Sequence, residues 1–210
     1  MSADSITNAT APVPAGPVAL LLLAAGASTR MGQPKQLLPY QGRTLLRHAA
    51  ETAVATGCGP IVMVTGALHD ALVAEAAGLP IRAVHNAAWE TGMASSIRAG
   101  LLAVQAAEPA AVLIMLTDQP LVTPELLRAL LAQQQETQAP IVAAAYGDTL
   151  GVPAIFAHSM LPELLKLQGA QGANRLIASL GVAVGRVPFP AGLLDVDTPE
   201  QYAALLNRQA

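Results

Sequence analysis

The sequence predicts an α/β fold, a doubly wound and mostly parallel sheet with helices on both faces. Three observations point there. Strand-length apolar runs alternate with helix-length patterns along the chain of 210 residues. The 53% hydrophobic content is mostly Ala, Leu and Val, with 3% aromatics, which suits buried parallel strands under Ala-rich helices. The polar, unusual residues fall where strands of such a sheet end, the rim on which ligands bind.

In chain order, residues 1–16 read as a disordered leader and 17–210 as one domain without repeats or a long linker. Val18–Ala24 is an unbroken apolar run ended by glycine, a central strand. The run Val18–Ala27 also imitates a secretion signal. No basic residue precedes Arg30, however, and the run is shorter than the ~20 residues that span a membrane, so a cytoplasmic location is expected. Thr44–Thr56 predicts a helix stopped by Gly57 and Gly59, Pro60–Thr65 a strand, His69–Ala77 a helix, and Pro80–His85 a strand. Ala94–Ala106 follows as an amphipathic helix and Ala111–Thr117 as the clearest strand. Thr123-Pro124-Glu125 and Thr198-Pro199-Glu200 each open a helix with a threonine cap, proline at the first position and an acid near the positive dipole end. Between them lie strands at Pro140–Ala145, Val152–Phe156 and Ala183–Val187, with helices near Ser159–Leu167 and Asn174–Leu180.

Composition narrows the function classes. A formal charge of −3 with no basic stripe argues against nucleic acid as a partner. Cys58 is the only cysteine, and the four histidines lack ligand spacing, so disulfides and a structural zinc are not expected.

Three strand-end clusters carry the chemistry. The first is Leu23-Ala24-Ala25-Gly26-Ala27-Ser28-Thr29-Arg30, continuing through Gly32 to Lys35. Gly26 and Gly32 allow tight turns that expose N–H groups to a phosphate chain, and Arg30 and Lys35 add charge for the same anion. Lys35 and Lys166 are the only lysines of the chain. The spacing fits neither a Walker loop nor GxGxxG nor a hydrolase elbow. The second is Asp118, directly after the clearest strand, which either caps a turn or binds a divalent cation. The third is Asp195-Val196-Asp197: in an extended segment both carboxylates share one face, and Asp197 could alternatively cap the last helix. A further segment, Asn86–Ser96, joins a strand to a helix. Its Gly92, Ser95 and Ser96 could hold a base or phosphate, or Ser95 or Ser96 could simply be the N-cap.

Taken together, the segments LAAGASTRMGQPKQLL (23–38), NAAWETGMASSIRAGL (86–101), LTDQPLVTPELL (116–127) and LLDVDTPEQY (193–202) resemble the MobA-like nucleotidyltransferases, nearest to their molybdenum cofactor cytidylyltransferase branch. The resemblance implies a Rossmann-like nucleotidyltransferase domain using Mg²⁺ and an NTP. Leu23, Ala24, Ala25, Gly26, Ser28, Arg30 and Lys35 would hold the nucleotide with Gly92, Ser95 and Ser96. Arg30, Lys35 and Asp118 would be catalytic, and Asp118, Asp195 and Asp197 would bind metal. Relatives that transfer GMP tend to carry LAGG where this chain has Leu23-Ala24-Ala25-Gly26, so the Ala25 methyl implies CTP. Molybdopterin is the implied acceptor, and a molybdoenzyme of the xanthine dehydrogenase type an implied recipient. The chain departs from the branch's GHP at Gly151-Val152-Pro153 and from its GDxGAR at Gly169–Asn174, both on the expected acceptor side. Another phosphorylated acceptor, another NTP, or a non-catalytic cofactor carrier therefore remain as alternatives.

Overall fold

A computed structural model describes residues 16–208. The leader expected over 1–16 lies, apart from Gly16, outside the described residues. The elements run β1 (Val18–Ala24), β2 (Pro39–Tyr40), β3 (Arg43–Thr44), α1 (Leu45–Ala55), β4 (Ile61–Thr65), α2 (His69–Glu75), β5 (Arg82–His85), α3 (Met93–Val104) and β6 (Ala111–Leu116). They continue through α4 (Pro124–Thr137), β7 (Ile141–Tyr146), β8 (Thr149–Ala157), α5 (Leu161–Leu165), α6 (Ala173–Leu180), β9 (Gly185–Pro188) and α7 (Pro199–Asn207). Among the described residues no helix is long and apolar enough to cross a membrane.

Seven strands form one sheet in the order β5-β4-β1-β6-β8-β7-β9. β1 pairs in parallel with β4 on one side and β6 on the other, so the chain winds outward through β4 and β5 and then returns across β1 to start β6. Alternation is not continuous, however. β7 and β8 form an antiparallel hairpin, and β8 inserts between β6 and β7. A second small hairpin, β2–β3, comes from Pro39–Thr44, which carries no strand-length apolar run.

The pleat of β1 builds both halves of the core. Leu20, Leu22 and Ala24 face α1, α2 and α4, while Ala19, Leu21 and Leu23 face α3, α5 and α6. Every residue of β1 after Val18 is buried, the condition under which a strand reads as a continuous apolar run. Gly100 lets α3 approach the sheet. A Cβ there would lie 2.9 Å from Leu21 Cδ1 and 3.1 Å from Val64 Cγ2, both on side chains without solvent exposure. Gly100→Ala is therefore expected to lower stability by about 1 kcal/mol in urea unfolding. Overpacking of roughly 1–3 kcal/mol exceeds the helix-propensity gain of about 1 kcal/mol.

Thr44, Thr123 and Thr198 cap α1, α4 and α7 through their side chains, and Gln201 completes a capping box at Thr198. A third apolar cluster, with Met31, Leu38, Tyr40, Leu45, Val196 and Leu205, pins the loop after β1 to the C-terminal segment. Tyr202 strengthens that link by donating its hydroxyl to the Pro39 carbonyl at 2.6 Å.

Candidate active site

The switch point of this sheet lies between β1 and β6, where successive connections leave in opposite directions and open a crevice beyond the carboxyl ends. The loop after β1 and Asp118 after β6 meet there. A pocket of about 260 Å³ is lined by Leu23, Ala24, Ala25 and Gly26 on the β1 side, with Ser96 and Asp118 among the residues opposite.

The loop turns at Ser28 (φ 54°) and Gly32 (φ 70°); Gly26 does not adopt a positive φ, contrary to its expected role in the turn. A Cβ on Gly26 would meet no atom within 4 Å, so that glycine leaves the pocket wall open. Gln36, only 1% exposed, holds the loop in shape. Its Nε2 donates to the carbonyls of Gly26 (2.7 Å) and Ala24 (3.2 Å), and its Oε1 accepts from Ser28 Oγ at 3.1 Å. Ser28 Oγ in turn accepts the Lys35 amide at 3.1 Å. Gln36→Ala removes the side-chain donor from the buried Ala24 carbonyl and the part-buried Gly26 carbonyl, and an orphaned buried acceptor costs about 1–3 kcal/mol. We expect a loss of about 2 kcal/mol in urea unfolding, with hydrogen exchange accelerated in residues 26–35.

The Lys35 ammonium donates to Asp118 Oδ2 at 2.6 Å and to Asp197 Oδ1 at 2.7 Å, joining segments 83 and 162 residues away. Burial alone would lower the Lys35 pKa, but the carboxylates of Asp118 and Asp197 overcome it and raise it. Asp197 is likewise desolvated, yet Lys35 and Arg30 hold its carboxyl below the ordinary range. Arg30 reaches Asp197 Oδ2 at 2.7 Å with its side chain 71% exposed, so this pair contributes little to stability and leaves the guanidinium free to swing toward a ligand.

Asp195 and Asp197 do flank a buried Val196, whose N–H donates to the Asp118 carbonyl at 2.8 Å. The two carboxylates differ in surroundings. Both Asp197 oxygens are committed to cations, whereas Asp195 Oδ1 is buried without a partner, as is Asp118 Oδ1. Burial first, and the Asp118 charge second, push the Asp195 carboxyl up to about 6. Neither capping alternative holds: the Asp118 carboxylate faces Lys35, and α7 is capped by Thr198 with Gln201.

Gly92 is the N-cap of α3, so Ser95 and Ser96 fall inside its first turn and neither caps it. Asn86, 6% exposed, donates to Ser95 Oγ (2.8 Å) and Ser96 Oγ (3.1 Å), locking the segment beneath the pocket. Gly92 requires glycine: its φ is 115°, and a Cβ would overlap the Gly169 carbonyl.

Gln36, Asn86, Gln119 and Tyr146 carry site geometry without having stood out in the sequence. For Gln36, Asn86 and Gln119 the available signal was a polar side chain directly after or within a motif on a buried rim. Tyr146 had none, since it belongs to no motif and of its neighbours Phe189 and Gly192 are distant in sequence, with only Gly151 in the same hairpin. Trp89 lines the pocket beside Glu90 and packs over Gly66, where a Cβ would lie 2.8 Å from its Cγ.

Among the described residues no three His, Cys, Asp or Glu side chains form a ready-made metal cage. The donor set nevertheless suits a hard divalent ion, because two buried carboxylate oxygens, on Asp118 and Asp195, stand unpartnered. Such an ion takes one or two carboxylates plus substrate phosphates.

A Rossmann-like sheet with a lysine and three aspartates beside an open pocket at its switch point fits a nucleotidyltransferase. The chain belongs to the MobA-like NTP transferase family, whose model matches residues 20–184. It is similar to nicotine blue oxidoreductase of Paenarthrobacter nicotinovorans, 48% identical over 101 residues that span 48% of this chain and 48% of that protein. PucB, a purine catabolism protein of Bacillus subtilis, is 29% identical over 87% of this chain and 92% of its own. The molybdenum cofactor cytidylyltransferase of Escherichia coli is 23% identical over 90% and 95%. Among solved structures, Rv0371c of Mycobacterium tuberculosis H37Rv superposes with a TM-score of 0.78 at 32% identity, covering 92% of this chain and 99% of that one. A second structure of Rv0371c is a complex with manganese, with a TM-score of 0.74 at 29% identity over 91% and 98%.

Proposed function

We propose that this enzyme transfers CMP from CTP to the phosphate of molybdopterin, with Mg²⁺ as its metal, and works in the cytoplasm. The observation that carries the reading is the Lys35 ammonium bridging Asp118 and Asp197 at the mouth of the switch-point pocket. Leu23, Ala24, Ala25 and Gly26 form the donor wall, with Ser28 shaping it through Gln36, with Gly92 and Ser96 also lining the pocket, and with Ser95 outside it, tied to Asn86 and the Ala88 and Gly92 carbonyls. The small pocket and the buried Ala25 favour a pyrimidine, and the name of the Escherichia coli relative supports cytidine. Asp118 and Asp195 would hold the metal through their unpartnered oxygens, with Asp197 kept in place by Lys35 and Arg30. The manganese complex of Rv0371c supports a divalent ion.

Lys35 and Arg30 would extend their remaining N–H donors to the triphosphate while still holding Asp197, and so orient its α-phosphorus. An acceptor phosphate oxygen attacks that phosphorus in line, forming one P–O bond as the bond to the β-phosphate oxygen breaks and pyrophosphate leaves. The acceptor is already ionised, its second pKa being about 6, so no strong general base is needed. Positioning and charge neutralisation then carry the rate. Bound Mg²⁺ would supply part of that neutralisation.

The test is to incubate the protein with each of the four NTPs, Mg²⁺ and molybdopterin while following pyrophosphate and the dinucleotide product. CTP should be preferred. Preference for another NTP would overturn the base assignment, and transfer only to other phosphomonoesters would overturn the acceptor. The 48% identity to nicotine blue oxidoreductase over about half of each chain favours a second reading, an oxidoreductase. Consumption of NAD(P)H in the same protein, without pyrophosphate, would favour it.

A further inference from the structure

The half of the rim beyond Asp118 has no role in nucleotide binding as described, yet it holds a tyrosine in a fitted slot. Tyr146 ends β7 on the rim that carries Asp118, because β8 runs antiparallel to both β6 and β7. Its ring stands edge-on to Phe189, with centroids 6.4 Å apart. Two glycines make room for it. A Cβ on Gly192 would lie 2.7 Å from its Cδ1, and a Cβ on Gly151 would overlap its hydroxyl. The hydroxyl is therefore delivered over Gly151, beyond Asp118 on the same rim.

The slot is ordered behind the ring as well. Gln119, 5% exposed, donates to the Val152 carbonyl at 3.1 Å, and the Val152 N–H donates to Asn174 Oδ1 at 3.2 Å. Gln119 Oε1 remains buried without a partner. Burial, then the charges of Asp195 and Asp118, push the Tyr146 phenol up, with Gln119 opposing. The group stays protonated, a neutral donor beside acidic side chains. Leu193, 71% exposed, touches the same turn next to Gly147.

We propose that Tyr146 is an acceptor-binding residue whose hydroxyl donates a hydrogen bond to the phosphate of the incoming acceptor, in a slot made by Gly151 and Gly192. This rests on the nucleotidyl-transfer reading above and assigns the acceptor half of that same site. A neutral donor can approach a phosphate dianion without adding charge near the aspartates. A hydrogen bond to a charged group is worth about 1.5–3 kcal/mol, or a factor of about ten or more.

The experiment compares wild type with Tyr146→Phe, which keeps the ring packing, and with Gly151→Ala, which displaces the hydroxyl. Molybdopterin binding is titrated calorimetrically with Mg²⁺ and a non-hydrolysable CTP analogue, and KM and kcat are measured for turnover. In Tyr146→Phe the molybdopterin Kd and KM should rise about tenfold, with kcat and the Kd of the CTP analogue changed less than about twofold. Gly151→Ala should shift acceptor binding in the same direction. Unchanged acceptor binding in Tyr146→Phe, or an equal weakening of the CTP analogue, would overturn the proposal. Failure of the underlying reading looks different: wild type itself would bind no molybdopterin and release no pyrophosphate, and the assignment of Tyr146 would fall with it.

Discussion

Asp118→Asn is expected to reduce nucleotidyl transfer by about 10²–10³, the 3–4 kcal/mol typical of removing one preorganised charge contact. The side chain keeps its shape but loses its charge, so the orphaned Oδ1 becomes a poor partner for a divalent ion. Asp118→Ala should abolish turnover. Lys35 retains Asp197 at 2.7 Å in both variants, so the loop after β1 should stay in place. A thermal melt close to wild type alongside the lost pyrophosphate release would separate chemistry from folding. Full activity of Asp118→Ala would refute a role for this carboxylate.

Lys35→Met should lower transfer by a comparable factor and have the opposite effect on metal. In the wild type the ammonium, 13% exposed, lies between Asp118 and Asp197 and neutralises both. Removing it leaves Asp118, Asp195 and Asp197 without that cation, and truncating one partner of a buried pair costs about 3–5 kcal/mol. Partial exposure of Asp197 places the expected loss at the low end, about 3 kcal/mol. Mn²⁺ can replace the missing charge, so it should raise the melting temperature of Lys35→Met more than that of wild type. Binding of the ion to the native state alone accounts for such a shift. An equal Mn²⁺ effect in both proteins would show that Lys35 and the ion do not compete for these carboxylates. Retained turnover would remove Lys35 from the catalytic set.

These variants separate what could be read in the chain from what could not. β1 and β6 were legible because strands covered on both faces leave a continuous apolar run, α1 because Gly57 and Gly59 stop it, and α4 and α7 because capping threonines are local signals. The burial of β8 on both sides made it look like any parallel strand, but the short gap between Pro140–Ala145 and Val152–Phe156 leaves no room for a parallel crossover and was the signal for the β7–β8 hairpin. Lys35, Asp118 and Asp197 stood out as charges at strand ends, and the doubly wound topology required those ends to share a rim.

By itself, then, the sequence determined the α/β class, the start of each capped helix and which charged residues could meet. Those depend on side-chain periodicity and on groups within a few residues of one another. Only the tertiary structure decided that Asp197 pairs with Lys35 and Arg30 while Asp195 stays unpartnered, that Gln36 ties the loop, and that Tyr146 fills the space left by Gly151. The Asp197 pairs join segments far apart in the chain through strand order, the Gln36 and Tyr146 contacts depend on close packing around single side chains, and no local pattern encodes which carboxylate a distant ammonium will reach.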